Sequence, residues 1–146
     1  MQEQINLNEW RERALSFEQS INKVVLGLEK QVRALTIAIF SRGHVLLEGD
    51  VGVGKTTLLK AAARLLGGAY QRIEGAIDLM PGDFLYHAYI DEKGQPAVAP
   101  GPLLRHEEDL AVFFFNEINR ARPQAHSLLL RLMAERHQLP SPYQGP

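Results

Sequence analysis

HVLLEGDVGVGKTT, residues 44–57, decides how this chain is read. Its first five residues, His44 to Glu48, form a short apolar run bounded by glycines, the pattern of a strand buried on both faces. Gly49 to Thr56 then match G-x-x-x-x-G-K-[ST] in full. An Ala- and Leu-rich segment from Lys55 to Leu66 follows and stops at Gly67-Gly68, which predicts a helix. Strand, glycine loop and helix in that order give the motif its meaning. Gly49, Gly52 and Gly54 let the backbone wind tightly, so that its N–H groups converge on phosphate oxygens. Lys55 is placed to reach the outer phosphates, and Thr56 to offer its hydroxyl to a magnesium ion. The start of the helix adds partial positive charge. Asp50, Val51, Val53 and Thr57 complete the expected nucleotide-binding set. A glycine turn that only joined strand to helix would need neither the lysine nor the threonine.

A second stretch, AVFFFNEINR at residues 111–120, has the form of a companion strand. In phosphate-loop nucleotidases such a strand ends in acidic residues. One carboxylate organises the metal, usually through water, and the next, a glutamate, polarises the attacking water. Glu117 stands in the second place, and Asn116 in the first. A simple nucleotide kinase need not keep a carboxylate at Glu117, so that enzyme class is disfavoured.

The rest of the sequence sets limits. A chain of 146 residues fits one domain with a real core. Sixteen Lys+Arg against 17 Asp+Glu leave a net charge of -1, which gives no reason to expect nucleic acid or an anionic membrane as partner. There is no cysteine, hence no disulfide framework and no thiolate metal site. No signal-peptide pattern and no membrane-length apolar run is evident, so a cytoplasmic location is expected. The five histidines lack metal-ligand spacing, and Glu107 to Asp109 reads as a solvated turn before the buried strand.

Helices are expected from about Asn8, as cap, through Trp10, Ala14, Phe17 and Ile21, with a break near the Ser16–Gln19 capping box, and from Glu29 to Phe40, with Gly43 as the C-cap glycine. Strands are expected at Tyr70–Ile73 and Ala111–Phe115, the latter buried. Tyr86–Ile90 and Gln95–Ala99 should form a hairpin, and a short or broken helix should lie within Asp78–Phe84. Pro123–Arg136 reads as an amphipathic helix. The fold class is α/β with a mainly parallel sheet flanked by helices. The expected division is a helical segment at 1–28, a nucleotide-binding core at 29–138 and a Pro-rich tail at 139–146.

Four stretches together resemble the MoxR-type AAA+ ATPases: VVLG (24–27), GHVLLEGDVGVGKTTL (43–58), GPLL (101–104) and NEINRARPQAHSLLLRLMAER (116–136). The resemblance runs from about Asn22 onward. It implies ATP and Mg2+ as cofactors, phosphates held by Gly49 to Thr56, Glu117 as catalytic glutamate, and Val24 to Gly27 near the adenine. Ala88 to Ala99 is similar to an insertion that marks this branch. The resemblance further implies a homo-oligomeric ring, usually hexameric, acting as a chaperone with a von Willebrand factor A-domain partner protein.

Two departures from the family pattern stand out. Asn116 replaces an aspartate, so metal organisation is expected to be weakened while ATP binding survives. The family pattern continues past Pro146 with a sensor strand, an arginine finger and a helical lid, which have no counterpart in this sequence. The family's fourth strand lies between the phosphate-loop strand and the Asn-Glu strand, so both are expected to show unpaired edges. Two readings follow: an ATPase module that remodels a partner, or a non-hydrolysing nucleotide-binding interaction module. This chain alone is expected to turn over poorly. Arg120, Arg122 and Arg136 are candidates to touch a neighbour's nucleotide in a ring.

Overall fold

Asn6 starts the first helix, α1 (Leu7–Asn22), its side chain accepting the N–H groups of Asn8 and Glu9. The cap is therefore two residues earlier than expected at Asn8, because the side chain that reaches the free amides belongs to Asn6. The helix runs through Ser16 without a break, and Ser20 bonds back to the Ser16 carbonyl. The computed structural model describes residues 6–50, 52–106 and 109–134. They fall into two compact units, divided between Gly68 and Ala69.

In the first unit α1 packs on α2 (Glu29–Phe40) and on α3 (Lys55–Leu66). Phe17 and Ile21 of α1, Val32 and Leu35 of α2, and Leu58, Leu59, Ala62 and Ala63 of α3 are buried. Trp10 is partly exposed but meets Phe40 edge to face at 5.9 Å, and Phe17 meets the same ring at 6.0 Å. The end of α2 corrects the sequence reading. Arg42, not Gly43, takes the left-handed conformation (φ 54°), and the Gly43 N–H closes on the Ala38 carbonyl at 2.7 Å. Gly43 fills the next position of the Schellman arrangement, where its conformation is ordinary.

His44 to Glu48 is not a strand. Among the described residues the unit contains no strand with which it could form a ladder, and Val45 and Leu46 are exposed. An extended segment counts as a strand only when its N–H and C=O groups are paired. The expected burial on both faces is absent for the same reason.

The second unit holds two small sheets. β1 (Ala69–Glu74) pairs in parallel with β4 (Leu110–Asn116), and the register sets Arg72 against Phe114 and Glu74 against Asn116. Between them in sequence lie the four-residue α4 (Gly82–Leu85) and an antiparallel hairpin, β2 (Tyr86–Ile90) with β3 (Pro96–Pro100). Asp91 Oδ1 organises the hairpin turn by accepting from the N–H groups of Lys93 and Gln95. β4 is half-buried along its length, not fully buried, since among the described residues it has one ladder neighbour.

α5 (Pro123–Ala134) follows a short 3-10 turn at Ile118–Arg120. Its Ala125 and Leu129, one helical turn apart, join Phe84, Leu103 and Ala121 in the core of this unit. Ile73, Phe113 and Phe115 of the parallel pair pack against that cluster. Phe84 is fully buried and stacks on Phe115 at 5.6 Å. Burial of a side chain this size stabilises by about 1.5–3 kcal/mol. Residues 135–146, which include Arg136 and the expected Pro-rich tail, lie outside the described residues.

Candidate functional site

The first unit carries the glycine loop expected to hold phosphates, Gly49 to Thr56. Gly52 and Gly54 have φ near +87° and +86°, which side chains rarely adopt, and Gly49 reaches +152°. Gly54 is the N-cap of α3 and supplies no side chain to the helix's first amides. The opening amides of any helix lack carbonyl partners within it. Here they lie at the end of a glycine-wound loop, and the adjacent dipole favours an anion. Lys55 opens the helix and turns back so that Nζ donates to the Gly49 carbonyl. The ammonium thus closes the loop from last residue to first. Thr56 is half-buried in the same turn and Thr57 is exposed. Asp50 and Val53 belong to the loop, while Val51 lies outside the described residues.

An open cavity of about 290 Å³ adjoins the loop, lined by Leu28, Gln31, Leu47, Gly49, Val53 and Lys55 among others. Leu28 is the residue after Val24–Gly27, and its Cδ1 lies 3.5 Å from where a Cβ on Gly54 would be. Leu28 and Gln31 were missed in the sequence. No periodicity marks them, because they face the loop and not the helical core.

The second unit carries the other candidates. Asn116 ends β4, and Glu117 follows in the left-handed conformation (φ 51°), capping the 3-10 turn. Arg120 Nη1 lies 3.1 Å from Glu117 Oε2, so one of the flanking arginines is an intrachain partner of the glutamate. Gly75 follows β1 and donates to the Asn116 carbonyl at 2.8 Å. A Cβ at position 75 would lie 2.2 Å from the Glu117 carbonyl oxygen, so only glycine fits beside this turn.

The strand register also brings up a residue the sequence did not single out. Asn116 Nδ2 donates to Glu74 Oε2 at 2.7 Å. Arg72 Nε bonds to the other carboxylate oxygen, and its guanidinium lies over the Phe114 ring at 5.6 Å. Hydrogen bonding from Arg72, then from Asn116, holds the Glu74 carboxyl below the usual glutamate range against a smaller effect of burial. The Arg72 guanidinium is raised in return, chiefly by Glu74. Arg-x-Glu ahead of a glycine, two residues apart on one strand face, is the only sequence trace of this network.

His106 meets Gln71 at 3.2 Å and His126 meets the Ile118 carbonyl at 2.7 Å, which accounts for two of the set-aside histidines. Among the described residues no three His, Cys, Asp or Glu side chains converge to hold a metal ion. Nor is any described helix long and apolar enough to cross a membrane.

Residues 44–140 match the family described as "ATPase family associated with various cellular activities (AAA)". Over 130 residues, 89% of this chain, the sequence is 66% identical to Protein MoxR of Methylorubrum extorquens and spans 38% of that protein. It is 59% identical to Protein MoxR of Paracoccus denitrificans over 90% of this chain and 39% of that one. Against Chaperone MoxR1 of Mycobacterium tuberculosis the identity is 33%, over 84% of this chain and 34% of the relative. A solved structure from Cytophaga hutchinsonii, described as a candidate ATPase, superposes with a TM-score of 0.63 at 27% identity, over 90% of this chain and 41% of that one. The chain thus spans between 34 and 41% of the length of these proteins. The matched segment contains the phosphate loop and the Asn-Glu strand end, and with them the chain belongs to the AAA family of ATPases, as a member of its MoxR type.

Proposed function

We propose that this chain binds ATP with Mg2+ and takes part in its hydrolysis within a homo-oligomeric ring, hexameric as the family resemblance implies, that remodels or chaperones a partner protein. The observation that carries the reading is the glycine-wound, uncapped start of α3, closed by Lys55. That donor set suits a polyphosphate: backbone N–H groups, one ammonium and a helix N-terminus, with no carboxylate in the helix's first turn to oppose it. It suits magnesium as well. This ion keeps several waters and uses few protein ligands beside substrate phosphates, so no dense carboxylate cluster is required.

Gly49 to Thr57 would hold the phosphates, with Lys55 on the outer ones. Thr56 and Asn116 would serve the metal, the asparagine through its amide oxygen. When bound, Mg2+ supplies positive charge that offsets the charge developing on the phosphate oxygens. Glu117 would orient the attacking water and accept its proton. The left-handed turn fixes the backbone of Glu117, and Arg120 leaves the second carboxylate oxygen without an ion-pair partner among the described residues. The name Chaperone MoxR1 borne by one relative supports the remodelling role. A von Willebrand factor A-domain partner and a cytoplasmic setting are proposals of the same standing.

The test is phosphate release by the protein at its native length, with ATP, with and without Mg2+. Multiple turnovers that require Mg2+ support the motor reading. One observation favours the non-hydrolysing module instead, namely the uncharged amide at Asn116. ATP binding with assembly but no turnover would select that reading.

A further inference from the structure

The amide at position 116 looks like a lost charge only while the strand is considered alone. Asn and Asp have the same shape, so Nδ2 of Asn116 stands where the second carboxylate oxygen of an aspartate would be. Glu74 Oε2 is 2.7 Å from that nitrogen. A negative oxygen therefore lies within one hydrogen bond of the place the family's aspartate would occupy. We propose that Glu74, presented by Asn116 across the β1–β4 ladder, supplies the carboxylate that organises the magnesium ion, so that the charge has moved to the neighbouring strand. The inference rests on the nucleotide-binding reading above.

Three further observations bear on it. The Glu74 side chain is 53% exposed, so its charge remains accessible to a hydrated ion. A carboxylate offers about four acceptor positions. Among the described residues Arg72 and Asn116 occupy one on each oxygen, which leaves two positions for metal-bound water. The pairing also explains the amide itself. An aspartate at 116 would set two carboxylate oxygens 2.7 Å apart, where like charges cannot both ionise freely. With Glu74 on the adjacent strand, the residue that fits at 116 is one with a hydrogen to give. Asn116 keeps its amide oxygen for a metal-bound water and uses its nitrogen to fix the glutamate. Glu74 is thus a charge-supplying residue and Asn116 a positioning one. A plain strand-end ion pair of Arg72 with Glu74 would be the duller account, and it leaves the asparagine unexplained.

The experiment measures binding of a fluorescent, non-hydrolysable ATP analogue to the full-length protein, in EDTA and in Mg2+. Wild type should bind in both and more tightly in Mg2+, by about tenfold or more, as one stabilising charge contact allows. Glu74→Gln should bind as wild type in EDTA and lose the Mg2+ gain. The exchange Glu74→Gln with Asn116→Asp should restore it. A full Mg2+ gain in folded Glu74→Gln overturns the proposal, as does an exchange that restores nothing. Should Glu74→Gln fail to fold, Asn116→Asp alone decides. It should add less than about twofold, because a carboxylate already serves the site, and a further tenfold gain overturns the idea. Absence of analogue binding by wild type in either buffer would instead defeat the nucleotide-binding reading, and this inference with it.

Discussion

A Cβ on Gly75 would stand 2.2 Å from the carbonyl oxygen of Glu117. The end of β1 thus touches the turn that presents the candidate water-polarising residue. Gly75→Ala must push that turn away, and overpacking of this kind costs about 1–3 kcal/mol. Thermal unfolding should show the loss. Hydrolysis should fall further than nucleotide affinity, since the phosphate loop is in the other unit. Wild-type stability and turnover in Gly75→Ala would show that the Glu117 turn has freedom to move.

Lys55→Ala removes the ammonium that closes the phosphate loop on Gly49. A charge-assisted contact to phosphate stabilises by about 1.5–3 kcal/mol. ATP affinity should therefore drop by about tenfold or more while circular dichroism stays unchanged. Undiminished affinity would remove Lys55 from the site.

Glu117→Gln keeps the shape of the side chain and removes its capacity to accept a proton. Turnover should fall by about 10²–10⁴, the usual range for a lost general base. Nucleotide binding should persist, and the variant should accumulate in its ATP-bound form. Turnover within about twofold of wild type would mean that the water is activated by another group.

The acid side of the stability profile should carry a small mark of Glu74. Its carboxyl is held low in the folded protein, by Arg72 first and Asn116 second. A lowered folded value means that the contribution is present above the unfolded glutamate value and is lost as pH falls through the folded one. The window lies wholly on the acid side of neutrality. Solvent screening of this half-exposed group keeps the effect slight. Carboxyl-detected NMR should place the Glu74 midpoint below that of a free glutamate, and Arg72→Ala should raise it. An unmoved midpoint would mean the ion pair is not kept in solution.

Phe84→Ala would empty the centre of the second unit's core, where the ring is fully buried against Phe115. Such truncations cost about 3–5 kcal/mol. Denaturant unfolding should show the loss as a lowered midpoint.

The parts of this molecule that were legible in the sequence are those decided by neighbours in the chain. α2 (Glu29–Phe40) and α3 (Lys55–Leu66) begin and end where their periodicity and glycines indicate. The hairpin at Tyr86–Pro100 follows from its turn, although β3 starts one residue later than expected, at Pro96. The glycine loop before α3 is a local motif, and its positive-φ glycines and the helix start at Lys55 agree with the reading of its sequence. The parts that were not legible depend on partners distant in sequence. HVLLE has the composition of a strand, but a strand also needs an adjacent one, and composition does not supply it. Asn6 took the cap expected at Asn8, and Arg42 the left-handed position expected at Gly43, because residues near a helix end differ only in which one the helix geometry reaches. Glu74 was invisible because its partner is 42 positions away, and only the β1–β4 register joins them.

That register has a consequence for how the family's sequences can diverge. Positions 74 and 116 form one acid and one amide facing each other across a ladder. A lineage that changes either one alone has two acids in contact or none. The two positions should therefore be inherited as a couple, glutamate with asparagine or amide with aspartate, and a survey of relatives should find the mixed pairs rare.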